Sequence, residues 1–356
     1  MKKNWFDEKI KKFSSIGGYQ KPDLIPNSVK LDSNENYVMP KQFQNDVITS
    51  AKKNSDVREY PLGRIDNLIK VISKFTKVPI SMIGVGNGSD QILDLILSNF
   101  ASKQTKVLTS KPTFGFFEER CKLYSIPLIA IPFSDEMKLN IKDFVTQSKN
   151  ADILYLDSPN NPTGFQFSKI ELQKLIKSFN GLVIIDEAYG EFSEYSLASM
   201  VKNHDNLIVV QTLSKSFGLA GLRLGYFIAN KKFTDAFMNV LQYPYPLSTI
   251  TIESGILALE KSELMKKVVI DIKIERKRII ETLQKYDSFQ VFDSKANFVL
   301  FDAHGSYKRV YSALAEQGIS IRKLGKIGNH KGCLRVTIGT KEMNSKFLLA
   351  IRDLLG

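Results

Sequence analysis

The stretch Leu207-Ile-Val-Val-Gln-Thr-Leu-Ser214-Lys215-Ser216-Phe217-Gly218-Leu-Ala-Gly221-Leu-Arg223-Leu-Gly225 decides how this chain is read. It opens with four apolar residues that do not alternate with polar ones. A strand apolar on both faces must be covered on both faces. The run then meets small hydroxyl and glycine residues around a single Lys, with an Arg eight positions later. Runs of the same kind recur outward from it at 106–109, 127–131, 152–156, 182–185 and 225–229, with helical patterns such as Lys169 to Ser178 between them. From Asn45 to about Lys231 this alternation implies crossover connections and a mostly parallel sheet covered by helices.

After about Lys232 the pattern changes. A charged helical stretch runs from Ser262 to Lys285. It is followed by a strand at 297–301, a helix near Lys308 to Gln317, strands at 320–322 and 333–337, and a final helix. The expected fold is therefore α/β: a three-layer α-β-α sandwich with a mostly parallel mixed sheet, plus a smaller α+β domain. The expected division is 1–44 as a segment joining the small domain, 45–240 as the large domain and 241–356 as the small one. The first forty-odd residues read as irregular and Pro-bearing, wrapping across both lobes.

With 356 residues, 43% hydrophobic and 24% charged, the chain is long enough for two lobes and too apolar for disorder. The longest uncharged stretch, Asn239 to Ile252, is broken by Pro244 and Pro246, so no membrane helix of about 20 residues is expected. The basic start continues into a charged stretch rather than an apolar one, so no secretory signal is expected either. The two cysteines, Cys121 and Cys333, cannot frame a chain of this size, which points to reduced thiols and a cytoplasmic location. His204, His304 and His330 are scattered and fit no metal-ligand spacing, so no metal site is expected.

The formal charge is +13, from 50 basic and 37 acidic residues, of which 40 are Lys and 10 Arg. The lysines are dispersed and not interleaved with aromatics. This reads as a Lys-rich surface drawing a small anionic substrate, and a nucleic-acid partner is not expected.

Four motifs fall just after predicted strands, where loops at the carboxyl ends of parallel strands carry sites. Lys215 sits between apolar runs, where desolvation lowers an amine pKa and yields a usable nucleophile. A plain structural turn is the alternative for that segment taken alone. Asp186 ends the apolar run 182–185, which is costly without a cationic partner, and Tyr189 follows closely. The competing reading, a Mg²⁺-binding aspartate, needs a phosphate loop that the sequence lacks. Asp157-Ser158-Pro159-Asn160-Asn161-Pro162-Thr163-Gly164 is a tight turn that pins two amide side chains. Ile83-Gly84-Val85-Gly86-Asn87-Gly88-Ser89-Asp90 runs a strand into a helix expected to be capped by Ser89 or Asp90, where backbone N–H groups suit a phosphate. It is not a dinucleotide fingerprint, because Ser89 stands where the third glycine belongs.

In this order, the four motifs resemble the fold-type I pyridoxal-phosphate aminotransferases, from about Tyr19 to the C-terminus. Leu31-Asp-Ser-Asn-Glu-Asn36, Glu59-Tyr60-Pro61, Gly86-Asn-Gly-Ser-Asp90, Pro112-Thr-Phe-Gly-Phe116 and Cys333-Leu-Arg-Val-Thr-Ile-Gly-Thr340 are similar to those of the histidinol-phosphate aminotransferase branch. The resemblance implies pyridoxal 5'-phosphate as cofactor, with Lys215 holding it covalently and moving protons. It implies that Asp186 pairs with the ring nitrogen, the tuning such cofactors depend on. Tyr189 and Asn161 are implied at the ring oxygen and Phe114 on the ring face. Ser89, Asp90, Ser214 and Arg223 are implied at the phosphate, joined by Tyr60 from the partner subunit of a homodimer. Tyr19, Arg322 and Arg335 are implied at the substrate, since paired guanidinium groups suit phosphate or carboxylate. A surface salt bridge is the alternative for Arg322. The sequence departs from the family at Tyr37-Val38-Met39-Pro40, where the resemblance expects a Pro-aromatic segment near the substrate.

The activity so implied is transamination of L-histidinol phosphate with 2-oxoglutarate, a reversible step of histidine biosynthesis giving imidazole acetol phosphate and glutamate. Decarboxylation of a phosphorylated amino acid and broad or aromatic amino-acid transamination are the sibling readings. A basic, non-catalytic nucleic-acid binder is the reading from another class, and no residues remain for the extra domain it would need.

Overall fold

The computed structural model describes residues 2–16, 18–19 and 21–355. Twelve strands form two sheets. In chain order they are β1 (Val29–Leu31), β2 (Ile83–Asn87), β3 (Val107–Lys111), β4 (Leu128–Pro132), β5 (Ile153–Asp157) and β6 (Leu182–Asp186). β7 (Leu207–Thr212), β8 (Leu224–Ile228), β9 (Gln290–Val291), β10 (Phe298–Asp302), β11 (Ile319–Ile327) and β12 (His330–Thr337) complete the set.

The larger sheet has the order β2-β8-β7-β6-β5-β3-β4. β3 to β7 pair in parallel and β8 is antiparallel to both neighbours. All residues of β5, β7 and β8 are buried, as their continuous apolar pattern requires when helices cover both faces. The parallel strands finish on one edge of the sheet. Asp157 and Asp186 stand side by side in the β5–β6 register there, and β7 ends close by at Thr212. Arg223 precedes antiparallel β8 on the same edge.

The second sheet has the order β1-β11-β12-β10-β9. The N-terminal part is more regular than its sequence suggested. It holds a helix, Lys2–Ile16, which packs against the helix Gly115–Tyr124, and β1, which pairs in parallel with β11. Three residues were too short a run to register as a strand, and β1 exists because β11 offers it a free edge.

The mixed, mostly parallel sheet and the separate α+β lobe match the expected fold. We propose 1–44, 45–240 and 241–356 as the working division. Thr249–Glu260 crosses it, packing on the helices Lys41–Asn54 and Arg64–Thr76. The first of those helices buries Phe43, Val47 and Ala51, one face at i, i+4, i+8. Among the described residues no helix is long and apolar enough to cross a membrane.

One close approach fixes the sheet edge that bears the motifs. A Cβ on Gly225 would lie 2.4 Å from Gly88 C and Ser89 N, backbone atoms that cannot swing aside. Gly225→Ala should therefore destabilise the fold by about 1–3 kcal/mol, the usual cost of overpacking. It should also displace the start of the helix Gly88–Phe100. Thermal unfolding of the two proteins side by side checks this; an unchanged midpoint would contradict the close packing.

Candidate active site

A cavity of about 310 Å³ opens at this edge of the large sheet, facing the second sheet. Lys215, Asp186, Tyr189, Asn161, Phe114, Ser89, Asp90, Ser214, Arg223, Tyr19, Arg322 and Arg335 all line it. Residues drawn from positions 19 to 335 thus meet in one space. Tyr60 does not line it. Tyr60 lies on the surface, 69% exposed and stacked on Tyr245 with ring centroids 4.3 Å apart.

Asp186 is buried, 3% exposed. Oδ2 accepts from Tyr155 OH at 3.1 Å and Oδ1 from Ala188 N at 3.0 Å. No cation among the described residues pairs with it. Burial first, then neighbouring Asp157, pushes its pKa up to about 7. The next residue, Glu187, lies beyond the end of β6 and does not line the cavity. It accepts from Ser196 Oγ, Leu197 N and Gln211 Nε2, tying down the loop beyond the strand.

Lys215 follows β7 and donates from Nζ to Ser33 O at 3.0 Å. Burial, then the nearby Arg335 charge, lowers its pKa to about 8. A fraction of this amine is thus neutral near physiological pH, as a nucleophile requires.

The turn after β5 is pinned by Asp157. Its carboxylate accepts from Asn161 N at 2.7 Å, Thr113 Oγ1 at 2.9 Å and Asn160 Nδ2 at 2.9 Å. Asn161 Oδ1 accepts from Arg335 Nη1. Arg335 cannot accept a hydrogen bond, so the amide oxygen must face it and Nδ2 is left pointing elsewhere.

Arg322 and Arg335 are direct partners in the antiparallel β11–β12 ladder. Their side chains therefore share a face, and like charges placed opposite are unfavourable without an anion between them. Arg335 is 7% exposed. Its Nη2 donates to Asp32 O at 3.0 Å, its guanidinium lies over Phe298, and its buried Nε has no hydrogen-bond partner.

At the other end of the cavity the helix Gly88–Phe100 begins. Ser89 and Asp90 lie in its first turn and neither caps it. The N-cap is Asn87, without a side-chain cap bond. Asn, Ser and Asp are comparable cap formers, so the local sequence does not decide among 87, 89 and 90; in the structure the helix starts at Gly88. Gly88 has φ +78°, and a Cβ there would meet Arg223 Nη2 at 2.5 Å. That gap lets the guanidinium lie over the helix start, paired with Asp90 Oδ2 at 2.9 Å. Uncapped N–H groups, a guanidinium and the Ser214 hydroxyl make an anion site.

Sequence reasoning gave no role to Asp32 and Ser33, whose carbonyl oxygens receive Arg335 and Lys215, nor to three further residues. Thr212 lines the cavity, and its hydroxyl meets Ser214 Oγ at 3.0 Å. Asp157 lines it as well as holding the turn. Asn34 donates from Nδ2 to Tyr189 OH at 2.8 Å. Its left-handed φ of +56° was not legible in the sequence, although asparagine tolerates that conformation best among residues with side chains. The segment Tyr37-Val38-Met39-Pro40, expected near the substrate, lines no part of the cavity. Met39 is buried against Gly218, and Asn36 Nδ2 donates to Ser216 O at 2.7 Å, so the segment braces the Lys215 turn instead.

Residues 26–351 match the family described as aminotransferase class I and II. A Pyrococcus furiosus protein named histidinol-phosphate aminotransferase is 34% identical over 326 residues, covering 91% of this chain and 92% of that protein. A Thermoanaerobacter protein of the same name is 32% identical, with both chains fully covered. The solved structure of the histidinol-phosphate aminotransferase from Clostridium acetobutylicum superposes with a TM-score of 0.82 at 28% identity, covering 91% of this chain and 98% of that one. The chain belongs to the class I and II aminotransferases. The enzyme class expected from its motifs, a pyridoxal-phosphate-dependent aminotransferase, is borne out. So is the fold, which it shares with a Sinorhizobium meliloti enzyme at a TM-score of 0.82 and 23% identity.

The raised Asp186 carboxyl carries a stability consequence for the coenzyme-free aminotransferase. Its folded pKa lies above its unfolded value, so the folded state holds the extra proton between about pH 4 and pH 7. Its contribution to stability falls as pH rises through that window. Asp186→Asn should make the coenzyme-free protein more stable than wild type at pH 8, on the order of a few kcal/mol, with the difference vanishing near pH 4. Thermal unfolding across pH 4.5–8 measures it. Equal stability at pH 8 would show that the carboxylate has found a partner.

Proposed function

We propose that this enzyme transfers the amino group of L-histidinol phosphate to 2-oxoglutarate, a step of histidine biosynthesis, using pyridoxal 5'-phosphate. One observation carries the reading: a cavity with a buried, cation-seeking carboxylate and a low-pKa lysine at its base has an anion site at each end. The site at Ser89, Ser214 and Arg223 fits the phosphate of the coenzyme. The pair Arg322–Arg335 fits a second dianion, the phosphate of the substrate, with Tyr19 beside it. Relatives of the same name across nearly the full length support the choice.

Pyridoxal phosphate, when bound, supplies an aldehyde that condenses with amines and a protonated ring that accepts electron density from the substrate carbon. Asp186 would pair with the ring nitrogen and keep its proton in place. That contact would also give the carboxylate the cation its burial lacks. Tyr189 OH and Asn161 Nδ2 would donate to the ring oxygen, while Phe114 covers the ring face. Lys215 Nζ would accept the proton leaving the amine-bearing carbon and return it at the far end of the same transfer. The same Arg pair would hold the carboxylates of 2-oxoglutarate and glutamate in the second half-reaction. Tyr60, surface-exposed and outside its own cavity, would serve the cavity of a second copy in a homodimer.

Decarboxylation of a phosphorylated amino acid would use the same two anion sites. Incubation of purified enzyme with histidinol phosphate and 2-oxoglutarate separates the two. Glutamate should form with no CO₂ release, whereas CO₂ from threonine phosphate without an oxo-acid acceptor would replace this reading by the other. Lys215→Ala should lower turnover by roughly 10²–10⁴-fold or more. Arg335→Ala should raise KM for the phosphorylated amine roughly 10- to 100-fold, the loss expected for charge-assisted hydrogen bonds, with the coenzyme still bound. A KM unmoved by Arg335→Ala would remove that residue from the substrate site.

A further inference from the structure

Asn34 is 1% exposed and sits where the two sheets meet. Its backbone N donates to Thr337 Oγ1 at 2.9 Å, so that hydroxyl's own proton is free to go elsewhere. The proton goes to Asn34 Oδ1, at 3.2 Å. Asn297 Nδ2 donates to Asn34 O at 3.1 Å and clamps the backbone. The amide is thereby oriented with Oδ1 toward Thr337 and Nδ2 toward Tyr189 OH, at 2.8 Å. Turned over, it would press two N–H groups against one hydroxyl oxygen and leave that hydroxyl's proton without an acceptor, in a place closed to water. Buried polar groups left unpaired in this way are costly.

A tyrosine oxygen that receives a hydrogen bond from an amide keeps its own proton for another partner. Tyr189 is 5% exposed and lines the cavity. We propose that Asn34, set by Thr337, is a positioning residue that turns the Tyr189 hydroxyl into an obligatory donor toward the cavity. Arg335 does the same for Asn161 by occupying its amide oxygen. Arg335 and Thr337 are two residues apart on β12 and so face the same side. One strand of the second sheet thus sets the direction of both donors. The orienting strand and the donors belong to different sheets, so correct polarity in the cavity requires the sheets to be docked.

This inference rests on the cavity's being a pyridoxal-phosphate site. Donors to the ring oxygen stabilise it as an anion and weaken its hold on the proton of the adjacent coenzyme nitrogen, so they lower the pH at which the bound coenzyme's visible absorbance changes. Asn34→Asp presents an acceptor to Tyr189 in place of a donor and tolerates the left-handed backbone. The measurement is the pH midpoint of that absorbance for wild-type holoenzyme, Asn34→Asp, Tyr189→Phe and the double variant.

Asn34→Asp should raise the midpoint by about one pH unit, the scale of one lost hydrogen bond to a charged group. Tyr189→Phe should raise it comparably, and the double variant should show no further rise. The last comparison removes the trivial effect of an added negative charge, which would shift the midpoint equally in both backgrounds. A midpoint unchanged in Asn34→Asp, or an equal shift with and without the tyrosine, overturns the proposal. Should Asn34→Asp not fold, Asn34→Gly removes the amide without backbone strain, and a rise that depends on Tyr189 is again required. Failure of wild type to bind pyridoxal phosphate, or an absorbance unaltered in Lys215→Ala, would refute the reading of the site rather than this inference.

Discussion

A carboxylate buried at the end of an all-apolar strand, with no cation beside it among the described residues, is the constraint on which the rest of the site depends. Asp186 costs the empty fold free energy. Tyr155 and Ala188 N lessen that cost without cancelling the charge. The second sheet sets two cations, Arg322 and Arg335, opposite each other on one ladder. Such charged sites are held in place by the surrounding fold and suit ligands of opposite charge, which is the usual relation between function and stability in enzymes.

The large sheet supplies the chemistry and the second sheet supplies its direction. Asp157, Asp186 and Lys215 follow consecutive parallel strands, so they arrive at one edge with little further design. Their hydrogen-bond polarity is set from outside. Ser33 O receives the lysine, Asp32 O receives Arg335, and Asn34 receives Thr337 and meets Tyr189. The strap from Asp32 to Asn36 therefore contacts Lys215, Arg335, Thr337 and Tyr189 directly. Its far end, Asn36 to Met39, packs behind the Lys215 turn and keeps that turn pressed toward the cavity.

Much of this was legible in advance because it depends on local patterns. Unbroken apolar runs identify strands covered on both faces, and residues that follow such strands lie at their carboxyl ends. Twelve of the thirteen residues singled out line one cavity. The exception, Tyr60, stands on the surface, where its proposed place lies in a second copy. Less legible were the features created by contact between distant segments. β1 is too short to be read without β11, and the uncapped start of the helix at Gly88 exists because Arg223 lies over it. Tyr37 to Pro40 differs from the family pattern, and in the fold it meets the back of the lysine turn instead of the cavity.

The sequence alone determined which groups are present and which strand ends carry them, because apolar periodicity and strand-end position are properties of neighbouring residues. The tertiary structure decided which way those groups point and what charge they hold. Lys215 has a low pKa because it is buried beside Arg335, 120 positions away. Asn161 and Tyr189 present donors because residues of another sheet fill their acceptors. Burial, field and hydrogen-bond direction are set by atoms brought together through space, and no local stretch of sequence contains them.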